Sequence, residues 1–224
     1  MPNIAGQRYA QLYPSQTDKV AAMKIYDTHT APTPRRVRIF LAEKNIPMEY
    51  VQLDLQKGEN ITAEMRLKNP IGKVPVLELD DGTCISESVA ICRYFEALQP
   101  EPRLMGTTPL EQAQIEMWQR QVEFSLFMQI GMCFQHSTGY FKDRMTPVAE
   151  YGAVAGDIAN RYLKVLERRL GESEFVAGKT FSIADITTLC AIDFGRVVKV
   201  KIKQDQINLA RWYQQISQRP SASA

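Results

Sequence analysis

Two histidines, two tryptophans and four cysteines in 224 residues is a sparse supply of reactive side chains, and each scarcity removes a class of function. Cys84, Cys92, Cys133 and Cys190 stand far apart with no C-x-x-C pair. Their spacing supports neither a disulfide framework nor a metal site, and no metal is expected. They fall within apolar segments, as reduced and buried small hydrophobes do, which points to a reducing, cytoplasmic compartment. No apolar run approaches the ~18 residues of a membrane span, so no membrane partner is expected. Charge is nearly balanced, with 27 basic against 25 acidic residues and no long basic run. That reads as an ordinary solvated surface, and nucleic acid is not an expected partner. Residues 1–22 lack the apolar stretch of a secretory signal and any strong periodicity. They read as a flexible leader, or as a segment preceding a start at Met23.

What is present is a chain that is 45% hydrophobic and long enough for one large or two small packed domains. Residues 24–27 form a short strand-like run. A Thr- and Pro-rich loop follows, and 35–44 has helical spacing, with Val37, Phe40 and Leu41 on one face. The alternation over 48–55 predicts a strand, and 61–68 a short helix stopped by Pro70. Residues 74–79 and 83–85 flank Asp80-Asp81-Gly82, a good hairpin turn, and 86–98 reads as a helix. The order is βαβαββα, an α+β domain over 23–98 with a mixed sheet covered by helices. Residues 99–109, with three prolines and a glycine, read as a linker. Everything after it has helical period, predicting an all-α domain over 110–220 and a tail at 221–224. Ile115, Trp118, Val122, Leu126, Ile130 and Cys133 mark one helix face. Ile158, Tyr162, Val165 and Leu166 mark another, and Ile207, Ala210, Tyr213 and Ile216 a last one. In Phe181-Ser182-Ile183-Ala184-Asp185-Ile186, Ser182 and Asp185 predict a capping box, with Phe181 and Ile186 as its hydrophobic staple. A stable helix start is the whole role expected of it.

The most informative stretch is NPIGKVPVLELDDGTCISESVAI, from 69 to 91. A Val74-Pro75 pair opens an apolar strand, and Glu87-Ser88 stands where the next helix begins. A strand edge offers backbone groups to an extended peptide, and a helix start offers N–H groups to an anion. Together they suggest a surface that holds a small peptide by its backbone and its charged end. An edge proline and simple helix capping are the bland readings of the same residues.

The pieces APTPRRVRIFLAEK, NPIGKVPVL, ISESVAICRYF and FSIADI, in that order and at these spacings, resemble the cytosolic glutathione S-transferase superfamily, and most of all a bacterial and fungal branch related to theta-like enzymes. The resemblance covers about residues 23–220. It implies a thioredoxin-like domain followed by an all-α domain, and glutathione as co-substrate. It also implies a homodimer and an apolar pocket for a small hydrophobic electrophile between the first loop and the helical domain. Val74-Pro75 matches the family's cis-proline step, which pairs with the cysteinyl backbone of glutathione. Glu87 and Ser88 match the pair that takes the γ-glutamyl amino and carboxylate groups. Lys73 and Arg36 are candidates for the glycyl carboxylate.

The reactive group is the thiol. At an ordinary pKa of ~8.5 only about 3% is ionised at pH 7, and lowering it by ~2 units needs roughly 2.7 kcal/mol of thiolate stabilisation. A helix N-terminus near Pro34 or Arg35 can supply part of that. Most of the family adds a hydroxyl or thiol after the first strand, but the matching slot here holds Ala31, which has none. Thr30 and Thr33 can replace it, with turn formation beside Pro32 and Pro34 as their plainer role. His29 lies in the same loop. In the fungal members of the branch, a water held by His and Ser side chains of the helical domain is the implied alternative, and His136-Ser137 stands at the corresponding position. Phe124, Phe127, Met128, Phe134 and Tyr140 are candidate pocket residues, or plain core. Two functions stay open: conjugation of glutathione to electrophiles, with peroxide reduction as a further activity, or a glutathione- or ligand-binding protein without turnover, which Ala31 favours.

Overall fold

The computed structural model describes residues 23–224, so the reading of 1–22 as a leader lies outside the described residues. The chain divides between Pro102 and Arg103 into two compact units, inside the stretch read as a linker.

In the first unit, strand β1 (Lys24–Asp27) leads into helix α1 (Pro32–Glu43), then β2 (Glu49–Gln52), α2 (Ala63–Lys68), β3 (Val76–Glu78), β4 (Cys84–Ser86) and α3 (Ser88–Leu98). The sheet order is β2-β1-β3-β4. β1 runs parallel to β2 and antiparallel to β3, and β3 runs antiparallel to β4. This mixed sheet, with its βαβαββα order, is a thioredoxin-like domain. Ile25, Val37, Phe40, Leu41, Leu77, Ile91 and Phe95 build its core.

Several boundaries differ from the sequence expectation. α1 starts three residues earlier than expected, because Pro32 sits at its first turn, where a missing N–H costs no hydrogen bond. Ser86 ends β4 rather than starting α3. Ile61 belongs to a 3-10 turn, and α2 begins after Thr62, whose hydroxyl accepts from the Met65 N–H. β2 stops at Gln52, although the Leu53 N–H still donates to the Asp27 carbonyl. Lys44, read only as the end of a helix, is fully buried. Its Nζ pairs with Glu96 at 2.7 Å and donates to the carbonyls of Gln99 and Pro102 at 2.7 and 2.8 Å. It pins the chain as it leaves the domain.

The second unit is all helical. α4 (Pro109–Val122) passes through a π-helical turn, Glu123–Phe127, into α5 (Met128–Thr138). α6 (Ala149–Glu172), α7 (Ile183–Gly195) and α8 (Ile207–Ser217) follow. α5 and α6 approach closely at Gly152 and Gly156, where an added Cβ would lie 3.2 Å from His136 Cβ and from Cys133 Sγ respectively. The expected face of α8 is displaced. Leu209, Trp212 and Ile216 are buried, whereas Ile207 and Ala210 are exposed. The indole explains the rotation: Trp212 Nε1 donates to Asp185 Oδ1 at 2.9 Å. Asp185 therefore does more than close the capping box. It is fully buried and also accepts from the N–H groups of Val176 and Ser182 and from the Ser182 hydroxyl. Burial pushes its carboxyl up to about 6 against these four donors. Phe181 packs edge-on against Phe175, with the Arg219 guanidinium 4.0 Å from its ring centroid.

Candidate functional site

Three chain segments converge at one end of the first unit's sheet because of the strand directions. Tyr26 near the end of β1 pairs with Val76 at the start of β3, and Val76 pairs with Ser86 at the end of β4. The loop after β1, the Val74-Pro75 step before β3 and the Glu87-Ser88 pair after β4 therefore lie side by side. Two helices, α1 and α3, point their N-termini there.

Each segment is braced. The Val74-Pro75 peptide is cis. The loop before it turns at Gly72, with φ of 63°, where an added Cβ would lie 2.9 Å from the Ile61 side chain. Asn69 Nδ2 donates to the Lys73 carbonyl at 2.8 Å, and Asn60 Nδ2 to the Gly72 carbonyl at 2.6 Å. Both asparagines are buried. Sequence reasoning gave neither a role. Asn69 had a signal, since Asn before Pro is a turn former, but Asn60 reaches across from another turn and had none. The loop after β1 is held by Arg38, whose Nη1 donates to both Asp27 oxygens at 2.8 and 2.7 Å and whose Nη2 donates to the His29 carbonyl at 2.9 Å.

The α1 N-terminus is poor in donors. Ala31 is the N-cap and has no hydroxyl, and its N–H is taken by the Thr28 carbonyl. Pro32 and Pro34 have no N–H, and the Arg35 N–H returns to the Ala31 carbonyl. The first turn therefore presents one backbone N–H, that of Thr33. The Thr33 hydroxyl donates to the Val74 carbonyl at 3.1 Å, so it ties two of the three segments together. Thr30 and His29 have exposed side chains in the turn.

The α3 N-terminus is different. Glu87 is its N-cap with φ of 69° and ψ of 113°, and its side chain makes no cap hydrogen bond. A non-glycine residue in this conformation is strained by ~1–3 kcal/mol. Ser88 is buried at the first helical position, and no hydrogen bond among the described residues engages its hydroxyl. The first N–H groups of α3 have no intrahelical acceptor. Lys73 is exposed beside this turn. Arg36 departs from the role suggested for it: it is 0% exposed, and an interior guanidinium offers no surface to a ligand carboxylate.

His136 and Ser137 belong to the second unit. His136 Nδ1 accepts from the Val148 N–H at 3.0 Å, and its ring meets Tyr151 edge-on at 4.9 Å between centroids. That bond places the proton on Nε2. Ser137 Oγ donates to the Cys133 carbonyl at 2.5 Å, which leaves its oxygen as an acceptor. Of the expected pocket residues, Phe127 is core, while Phe124, Met128 and Tyr140 are exposed. Phe134 packs against Tyr140, Phe141 and Phe194.

Comparison with known proteins gives matches over nearly all of the described chain. The family model "Glutathione S-transferase, N-terminal domain" matches residues 25–103, and "Glutathione S-transferase, C-terminal domain" matches residues 130–220. Glutathione S-transferase 2 of Saccharomyces cerevisiae is 40% identical over 203 residues, which covers 89% of this chain and 87% of that protein. Among solved structures, Gtt2 from Saccharomyces cerevisiae superposes with a TM-score of 0.85 at 39% identity, covering 89% of this chain and 98% of that one. A glutathione S-transferase domain-containing protein from Marinobacter aquaeolei superposes with a TM-score of 0.86 at 38% identity, covering 88% and 98%.

Proposed function

Because the chain belongs to the glutathione S-transferase family, we propose that it binds glutathione at the end of the first unit's sheet and transfers it to small hydrophobic electrophiles. The observation that carries this reading is the convergence of the Val74-Pro75 step with the strained, donor-rich start of α3 at Glu87-Ser88. Val74 offers backbone to the cysteinyl residue in the manner of an added strand. Ser88 and the first N–H groups of α3 take the γ-glutamyl carboxylate, and Glu87 takes the amino group beside it. Exposed Lys73 is the cation for the glycyl carboxylate.

Thiolate stabilisation is divided. The α1 dipole and the single Thr33 N–H supply one part. His136 keeps an Nε2–H donor and Ser137 keeps acceptor lone pairs, the groups that the family resemblance implies for a water serving the thiolate. Thr30 offers a further hydroxyl. In the transfer step, the thiolate sulfur forms a bond to an electrophilic carbon, and the displaced group or the adjacent carbanion takes the electron pair. Phe134, Tyr140 and Phe141 form a ring cluster within the second unit. Leu110, Met117 and Phe124 recur every seven residues with 67%, 46% and 48% exposure. This stripe supports a homodimer, which sedimentation would disprove by showing a monomer at all concentrations. Four free cysteines support a reducing, cytoplasmic setting. No described helix is long and apolar enough to cross a membrane.

One observation favours the second reading, glutathione binding without turnover: the α1 N-terminus lacks a hydroxyl cap and has lost two of its N–H donors to proline. Calorimetric titration with glutathione, followed by the ultraviolet thiolate signal of the complex against pH, separates the two. Saturable binding with a bound-thiol pKa of about 6–7 supports the transferase. Binding with an unshifted thiol supports the second reading, and absence of binding removes both.

A further inference from the structure

The second unit carries a surface cleft of about 650 Å³, lined by Arg161, Lys164, Val165, Glu167, Arg168, Asp205 and Gln206. Its volume is in the range of small-molecule sites. It has no counterpart in the glutathione reading, which rests on the first unit's sheet.

Arg161, Lys164 and Arg168 share one face of α6, at positions i, i+3 and i+7. Like charges at this spacing destabilise a helix. Among the described residues, none of the three makes a hydrogen bond or ion pair. The nearby carboxylates do not pair with them. Asp157, one turn before Arg161, forms no ion pair among the described residues. Glu167, three residues after Lys164, turns to α8. Its Oε1 accepts from the Asn208 N–H and Nδ2 at 3.1 and 2.8 Å, and its Oε2 from the Leu209 N–H at 2.9 Å. Glu167 thus spends its lone pairs on another helix and leaves the donors of the three cations free, although its charge counts with that of Asp205 against theirs, three cations to two carboxylates in the lining.

The rest of the lining adds two groups of different character. Gln206 is 4% exposed, and its Oε1 accepts from the Lys203 N–H at 2.9 Å. Its amide NH2, held by that bond, donates to nothing among the described residues. Asp205, exposed beside it, is an acceptor with no protein donor among the described residues. Three cations and an amide donor suit a phosphate group. The Asp205 carboxylate repels an extended polyanion but accepts from hydroxyl or amino groups. We propose that this cleft binds a small organic phosphate of nucleotide size. Arg161, Lys164 and Arg168 hold its phosphates, Gln206 donates to a phosphate oxygen, and Asp205 accepts from a hydroxyl or amine.

The test is calorimetric titration of the full chain with inorganic pyrophosphate and with ADP, for the wild type, for the double variant Arg161→Gln/Arg168→Gln, and for Asp205→Asn. The expected result is one saturable site for each probe and a loss of at least about tenfold in affinity for both in the double variant. Asp205→Asn is expected to weaken ADP while leaving pyrophosphate equal or tighter, since it removes an acceptor and a like charge together. The substituted side chains are exposed, so the thermal midpoint serves as the check that the variants fold. No saturable binding of either probe overturns the proposal, and so does equal affinity in the double variant. Binding to phosphatidylserine vesicles without a response to either small probe overturns it as well, and marks the face as a flat basic patch.

Discussion

The Thr33 hydroxyl donates to the Val74 carbonyl across 3.1 Å and joins the loop after β1 to the turn before β3. One O–H makes one donation, so in this state the hydroxyl aligns the backbone proposed to receive the peptide and is not aimed at a thiol. Thr33→Val should weaken glutathione binding about three- to tenfold, the value of one neutral hydrogen bond of roughly 0.5–1.5 kcal/mol. Thr33→Ser should retain affinity, and the bound-thiol pKa should stay unchanged in both. A raised thiol pKa in Thr33→Val would return the hydroxyl to the sulfur.

Glu87 sets function against stability. Its backbone strain of ~1–3 kcal/mol exceeds the ~0.5–1 kcal/mol entropic cost of glycine. We predict that Glu87→Gly raises the unfolding free energy by about 1 kcal/mol while weakening glutathione by tenfold or more. Glu87→Gln should weaken binding without the stability gain. Denaturant titrations beside calorimetry measure both, and a destabilised glycine variant would contradict the argument.

His136 has two separable atoms. Nδ1 clasps the Val148 N–H, and Nε2 is the donor proposed to serve the thiolate. The amide oxygen of Asn can stand near Nδ1 but offers nothing at Nε2. His136→Asn should therefore keep slow hydrogen exchange at the Val148 amide and raise the bound-thiol pKa, while His136→Ala should lose both. If the thiol pKa is the same in all three proteins, His136 is a loop clasp alone.

Acid stability should depend on Glu78. The Lys68 hydrogen bond at 2.8 Å, with that of Tyr26 at 2.7 Å, holds its carboxyl below the ordinary value. A group with a lowered folded pKa contributes stability that is present above its unfolded pKa of ~4.3 and is lost as pH falls through the folded value. Glu78→Gln should therefore flatten the acid limb of the stability curve. Asp185 acts with the opposite sign. Its folded pKa of about 6 lies above the ordinary one, so its contribution is complete below pH ~4 and fades as pH rises through 6. Urea unfolding at pH 3, 5 and 7 tests both signs, and an acid limb unchanged by Glu78→Gln would refute the first.

Local chemistry made much of this protein legible in its sequence. Strand alternation, the Asp80-Asp81-Gly82 turn, the Ser182 cap and the helical periods after residue 110 depend on neighbours within a few positions, and so could be read along the chain. The Glu87-Ser88 pair and the Val74-Pro75 step were visible for the same reason. Tertiary structure decided what depends on distant partners. It buried Arg36, a candidate for the glycyl carboxylate in the sequence. It gave Lys44 its ring of carbonyls, and it turned α8 onto Leu209 and Trp212 because Asp185, more than twenty residues earlier, supplies the acceptor for the indole. It placed Asn60 under Gly72, and it sent Glu167 to cap α8, which left the cations of α6 without a paired carboxylate. None of these pairings has a periodicity to betray it. A buried polar group takes whatever partner the packed chain brings within reach, and only the folded chain brings those partners together.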